Sequence, residues 1–144
     1  MKTVRQLLDS KSKGRAVFSI GPNAMVYEAL KLMAEKDVGA LTVMDGGRLA
    51  GIISERDYAR KVILLGKSSH EIPVREIMTG KVITVHPEHT VPECMALMTD
   101  KRIRHLPVLE GERLIGLLSI GDLVKEVIAD QEQTIRQLET YIHS

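Results

Sequence analysis

Cysteine occurs once in these 144 residues, at Cys94, so an intramolecular disulfide framework and a cysteine-rich metal site are both excluded. A single thiol fits a reducing, cytoplasmic compartment. Neither charge sign is in excess. Lys and Arg total 20 against 19 Asp and Glu, which leaves no electrostatic footprint for nucleic acid. No stretch approaches the roughly 20 apolar residues that span a bilayer, and Met1 to Leu8 holds no apolar run of signal-peptide length. A soluble, unexported chain with neither nucleic acid nor membrane as a partner is expected. Glycine-rich phosphate loops of the P-loop or dinucleotide type are missing, as is any clustered nucleophile with a base, which argues against an enzyme.

What the chain does contain is itself, twice. Sliding it by 65 residues, from Pro22 to Pro87, aligns Val17–Ile63 with Val82–Ile128 without a gap. Glu28 meets Glu93, Leu32 meets Leu97, Gly51 meets Gly116, Ser54 meets Ser119 and Asp57 meets Asp122. Two copies of such a period point to a pair packed about a pseudo-two-fold axis and not to an extended array. A chain of this length can bury one core but not two independent ones, so each half is expected to need the other.

Each repeat reads as strand, helix, strand, turn, strand, helix. In the first, Val17–Ile20 is a short strand, and Val26, Leu30, Met33 and Ala34 recur at helical spacing through Lys36. Leu41–Met44 and Arg48–Ile53 flank the turn Asp45-Gly46-Gly47, and Tyr58–Leu65 closes the unit as a helix. The second repeat offers Val82–Val85, Val91–Lys101, Leu106–Leu109, the turn Glu110-Gly111-Glu112, Arg113–Leu118 and a helix from Ile120. Short helices precede both units, because Val4-Arg5-Gln6-Leu7-Leu8 is echoed by Val74-Arg75-Glu76-Ile77-Met78. The expected division is residues 1–66 for the first repeat with its N-terminal helix, 67–130 for the second, and 131–144 as a helical extension. In the last helix Val124, Ile128, Gln131, Ile135, Leu138 and Ile142 alternate at spacings of four and three. That seam suits either packing back on its own domain or a dimer contact, and its extension past the repeat favours the dimer.

The strongest local signal is Gly51-Ile52-Ile53-Ser54-Glu55-Arg56-Asp57, matched by Gly116-Leu117-Leu118-Ser119-Ile120-Gly121-Asp122. Each run sits where a strand turns into a helix. One reading is a capping device, with Ser accepting from an early helical N–H and Asp reaching back. The other is a ligand site, since a carboxylate at such a turn can accept from both hydroxyls of a ribose. The two are compatible. His86-Pro87-Glu88-His89 has a ligand-like spacing but no third ligand, so a metal is not expected there. Thr90-Val91-Pro92-Glu93 reads as a capping box, and Cys94 lies on a core face.

The tandem repeat, the doubled Gly-x-x-Ser-x-x-Asp ending and the run Ile103-Arg104-His105-Leu106-Pro107-Val108 together resemble a pair of cystathionine-β-synthase (CBS) domains, or Bateman module. The resemblance implies an α/β fold of two pseudo-symmetric β-α-β-β-α repeats packed through their sheets, with an extended C-terminal helix. It implies regulation without catalysis, through adenosine-containing ligands of the AMP, ATP or NAD(H) type bound in clefts between the repeats. It makes Asp57 and Asp122 the ribose acids, Ser54 and Ser119 the hydroxyls before them, and Ser19 and Thr84 the polar positions near adenine. Arg104 and His105 match positions that reach phosphate, where a guanidinium bonds bidentately. The first repeat departs by having Gly39 and Ala40 at those positions. Its phosphate charge is expected from Arg56, Arg60 and Lys61, which could equally form a solvated helix face. A homodimer and a downstream partner protein complete the expectation. The competing reading is a dimerisation module that binds no ligand.

Overall fold

The computed structural model describes residues 2–10 and 17–143. The elements run α1 (Val4–Ser10), β1 (Ser19–Ile20), α2 (Val26–Lys36), β2 (Ala40–Asp45), β3 (Arg48–Ser54), α3 (Glu55–Tyr58), a π-helical turn (Ala59–Ile63), α4 (Val74–Ile77), α5 (Val91–Lys101), β4 (His105–Glu110), β5 (Arg113–Ser119) and α6 (Ile120–His143). This is the expected α/β pair. The helices α2 and α5 keep the bounds that their periodicity predicts, burying Val26, Ala29 and Met33 in one and Val91, Cys94 and Met98 in the other. Both end on a residue in left-handed conformation, Asp37 and Arg102, each at φ 53°. The hairpins β2–β3 and β4–β5 are antiparallel and carry their irregularity at the same place, between Val43 and Met44 and between Val108 and Leu109.

The repeats differ at two elements. β1 pairs in parallel with β2, Ser19 facing Thr42, whereas the expected strand Val82–Val85 is reduced to a single parallel bridge between Val85 and Val108. The cause is one residue. In the first repeat the Thr42 N–H donates to the Phe18 carbonyl at 3.3 Å, and the matching position in the second repeat is Pro107, which has no N–H to give. The second difference lies after the sheet. The helix expected over Tyr58–Leu65 is instead the four-residue α3 followed by the π-helical turn, while its counterpart α6 runs unbroken for 24 residues.

Two cores form, and each is completed by a segment from outside its own repeat. Val26, Met33, Leu41, Val43, Ile53 and Val62 pack with Ile72, Val74 and Ile77, which lie past the end of the first repeat. Cys94, Met98, Leu106, Leu118 and Leu123 pack with Val4, Leu7 and Leu8 of α1. The helix that precedes the first repeat in sequence thus belongs to the second core. Matching backbone bonds dock both segments. Val4 and Arg5 donate to the carbonyls of His89 and Pro87 at 2.8 and 2.9 Å, and Val74 and Arg75 donate to those of Ala24 and Pro22 at the same distances. Return bonds run from Val91 to the Lys2 carbonyl and from Val26 to that of Ile72. Side chains reinforce the second contact set, with Arg5 between Glu88 and Glu110 and Lys2 on Glu126.

Glycine at the doubled motif makes this docking possible. A Cβ on Gly51 would stand 2.6 Å from the Thr79 carbonyl oxygen and 2.8 Å from Met78 Sδ, and one on Gly116 would stand 2.6 Å from a methyl of Leu8. Thr79 cannot retreat, because it exchanges two backbone hydrogen bonds with Ile52 at 2.8 and 3.1 Å. Leu8 can yield by changing rotamer. Gly51→Ala is therefore expected to cost about 1–3 kcal/mol in urea denaturation, and Gly116→Ala less. Equal losses at the two positions would contradict this account.

Candidate functional site

The doubled acid turns are the same device in two settings. Ser54 caps α3: its Oγ accepts from the Asp57 N–H at 3.2 Å, while Asp57 Oδ2 accepts from the Ser54 N–H at 3.0 Å and from its hydroxyl at 3.1 Å. At the start of α6, Ser119 Oγ accepts from the Asp122 N–H at 3.2 Å, and Asp122 Oδ2 accepts from the Ser119 N–H at 2.8 Å. The sequence motif is thus a capping box that holds each carboxylate in one rotamer at the end of a sheet. Register then fixes the neighbours. Ala40 pairs with Ser54, and His105 pairs with Ser119, so the opening residue of β2 or β4 lies beside each acid turn.

The other candidate residues are distributed unequally. Ser19 on β1 is half-buried with its Oγ 2.6 Å from Thr42 Oγ1, and Thr42 is fully buried. Thr84 is half-buried and lies outside any strand. Arg104 is exposed, and its carbonyl accepts from the Ile120 N–H at 2.9 Å. Arg56 and Arg60 are exposed on α3 and the π-helical turn. Lys61 points elsewhere: its Nζ lies 3.2 Å from Asp57 Oδ1 and donates to the Ile77 carbonyl at 2.9 Å. Thr42 and the Lys61–Asp57 pair are the site features that sequence reasoning missed. A polar residue inside an otherwise apolar strand, and a basic residue four positions after an acid on a helix, were the available signals.

Beside the first acid turn runs a groove of about 590 Å³ between α2 and the π-helical turn, lined by Leu30, Met33, Val38, Tyr58 and Ile63 with Glu55 at its rim. The His86 and His89 rings meet at a tilt of 35° with centroids 3.8 Å apart, and the Nδ1 of each accepts a backbone N–H, from Glu88 and His86 respectively. Those Nδ1 lone pairs are spent on the turn, which makes the pair a loop fastener. Among the described residues no group of three His, Cys, Asp or Glu could hold a metal ion. Cys94 is buried in the second core, and burial pushes its thiol up to about 11, far from a reactive thiolate. No helix of the described residues is long and apolar enough to cross a membrane.

Two copies of one β-α-β-β-α unit, each completed by the other's leading segment and each ending in a capped acid turn, define a paired α/β module. The sequence model of the CBS domain matches residues 14–63 and 74–129, and the chain belongs to the CBS-domain family as a tandem pair. Like the family's members, it is a non-catalytic regulatory module. It is 48% identical over 122 residues to CBS domain-containing protein CBSX3, mitochondrial, of Arabidopsis thaliana, which covers 81% of this chain but only 59% of that protein. A protein with CBS domains from Burkholderia ambifaria MC40-6 superimposes with a TM-score of 0.87 at 59% identity, over 90% of this chain and 96% of that one. The CBS domain pair of protein MJ0100, solved in complex with 5′-methylthioadenosine and S-adenosyl-L-methionine, superimposes with a TM-score of 0.79 at 26% identity, over 90% and 98% of the two chains.

His105 lies where both acids are felt. Burial lowers its pKa below the ordinary 6.5, and Arg104 lowers it further, while Asp122 and Asp57 pull the other way. Between pH 6.5 and the lower folded value, the unfolded chain binds a proton that the folded chain refuses. The contribution of His105 is therefore fully present above pH 6.5 and is lost as the pH falls through the folded value. Urea denaturation of wild type and His105→Gln between pH 5 and 8 should show a difference that narrows toward acid. A constant difference would mean that His105 does not titrate apart from its unfolded value.

Proposed function

We propose that this CBS pair is a sensor of adenosine-containing nucleotides of the AMP, ATP or NAD(H) type, and that the observation carrying this reading is the doubled, pre-oriented carboxylate. Asp57 and Asp122 each hold one oxygen on a serine and sit in the field of one residue, His105. Each would accept from the ribose hydroxyls, with Ser54 and Ser119 keeping the carboxylates aligned. Adenine would lie against backbone near Ser19 and Thr84. Phosphate would meet Arg104 in the second repeat and Arg56 and Arg60 in the first, with Ala40 and His105 at the strand openings between. The adenosine-derived ligands named for MJ0100 support this chemistry. His105, held neutral by burial, would contribute a hydrogen bond and Arg104 the charge.

Binding would be transmitted through the relation between the repeats. A ligand that fits one arrangement better shifts the population toward it, and a downstream partner protein reads the change. We further propose that the protein is cytoplasmic and works as a homodimer through α6. Beyond Asp130 this helix is exposed on all sides, with Ile135 54% and Leu138 56% accessible, and an isolated helix of this length is marginal in water. The Ile135→Glu/Leu138→Glu double variant should sediment as a monomer if α6 forms the contact. An unchanged mass would place the dimer elsewhere or remove it.

The nucleotide reading is tested by thermal shift with AMP, ATP, NAD and NADH. A ligand at 100 times its Kd should add about 2.7 kcal/mol to the stability of the wild type. Each of Asp57→Ala and Asp122→Ala also loses the acid half of a capping box, so the ligand-induced shift is measured against each variant's own baseline. Loss of that shift at one acid assigns a site. No shift with any nucleotide leaves the dimerisation module.

A further inference from the structure

We infer that Lys61 is a built-in competitor for the first repeat's ribose acid, and that its displacement couples ligand binding to α4. The inference rests on the nucleotide reading above. A carboxylate offers about four acceptor positions on its two oxygens. On Asp57, Oδ2 spends two on the N–H and hydroxyl of Ser54, and Oδ1 spends one on the ammonium of Lys61. One position remains, and a ribose diol brings two hydroxyls. Full engagement of the diol therefore requires Lys61 to leave. The second acid cannot meet this competitor, because the position matching Lys61 is Glu126, which faces Lys2 at 3.2 Å.

The far end of the lysine makes the competition a signal. Lys61 also donates to the carbonyl of Ile77, the last residue of α4, whose successors Met78 and Thr79 form the contact seated on Gly51. The ammonium thus ties the acid of the first repeat to the segment that leads into the second. Lys61 lies within the π-helical turn, a feature of the first repeat that the continuous α6 lacks, and π-turns concentrate at functional sites. When a diol takes Oδ1, Lys61 loses its charge partner and the end of α4 loses a restraint.

The experiment titrates neutral adenosine by calorimetry into the Asp122→Ala chain, with and without Lys61→Met, Lys61→Gln or Lys61→Arg. Adenosine carries no phosphate, so losing a positive charge cannot itself weaken binding. Lys61→Met and Lys61→Gln should bind adenosine about 2–5-fold tighter, the range of a partly exposed ion pair, and Lys61→Arg should stay near the parent. Amide hydrogen exchange over residues 74–79 should quicken when adenosine binds the parent and not change further in Lys61→Met. Two variants guard against misfolding, which thermal unfolding detects. Adenosine binding that needs Asp57 but is unchanged or weakened without Lys61 overturns this inference alone. Absence of adenosine binding to the parent and to the Lys61 variants overturns this inference, and the nucleotide reading falls with it only when AMP, ATP, NAD and NADH also leave the thermal unfolding of the wild type unchanged.

Discussion

Close approach of backbone at Gly51 and Gly116 is the constraint on which the molecule depends. Each glycine is the seat of a segment from outside its repeat, Met78 and Thr79 on one and Leu8 on the other, and a side chain would meet fixed backbone at Gly51 and the movable Leu8 side chain at Gly116. Around these contacts Val4, Leu7 and Leu8 close the second core, and Ile72, Val74 and Ile77 close the first. Neither repeat has a complete core from its own residues. Association of the halves is therefore part of folding each half.

Within that frame the capped acids show how one interaction serves two ends. The Ser–Asp reciprocal bonds satisfy helical N–H groups that would otherwise be orphaned, and the same bonds freeze a carboxylate at the sheet's end. Pre-orientation lowers the ordering cost that binding must meet. The surroundings then break the symmetry: Arg104 and His105 flank one acid, while Gly39 and Ala40 flank the other, with Lys61 on its carboxylate. Equal scaffolds therefore carry unequal electrostatics.

Where a structural feature was decided by neighbours in sequence, it was legible. The apolar spacing of α2 and α5, the hairpin turns at Gly46 and Gly111 and the capping box of Thr90 and Glu93 all stand where periodicity and turn chemistry put them. The expected strand Val82–Val85 failed because the decisive residue, Pro107, lies on a different strand and withholds an N–H from across the ladder. The helix at Tyr58–Leu65 failed in the opposite way: its pattern is helical, but the turn widens to a π-helix where Lys61 bonds both Asp57 and Ile77.

The amino-acid sequence by itself determined the duplication, the order and limits of most elements, the capped acid turns and membership of the CBS-domain family, because these depend on local periodicity and on motifs a few residues long. Only the tertiary structure decided which leading segment completes which core. Val4, Leu7 and Leu8 and Val74, Ile77 and Met78 are near-copies, so their local pattern fits either seat. Chain connectivity and steric closure across the whole molecule make the choice. The same holds for Lys61, whose meeting with the Ile77 carbonyl spans 16 residues and exists only once α4 has docked on the first repeat.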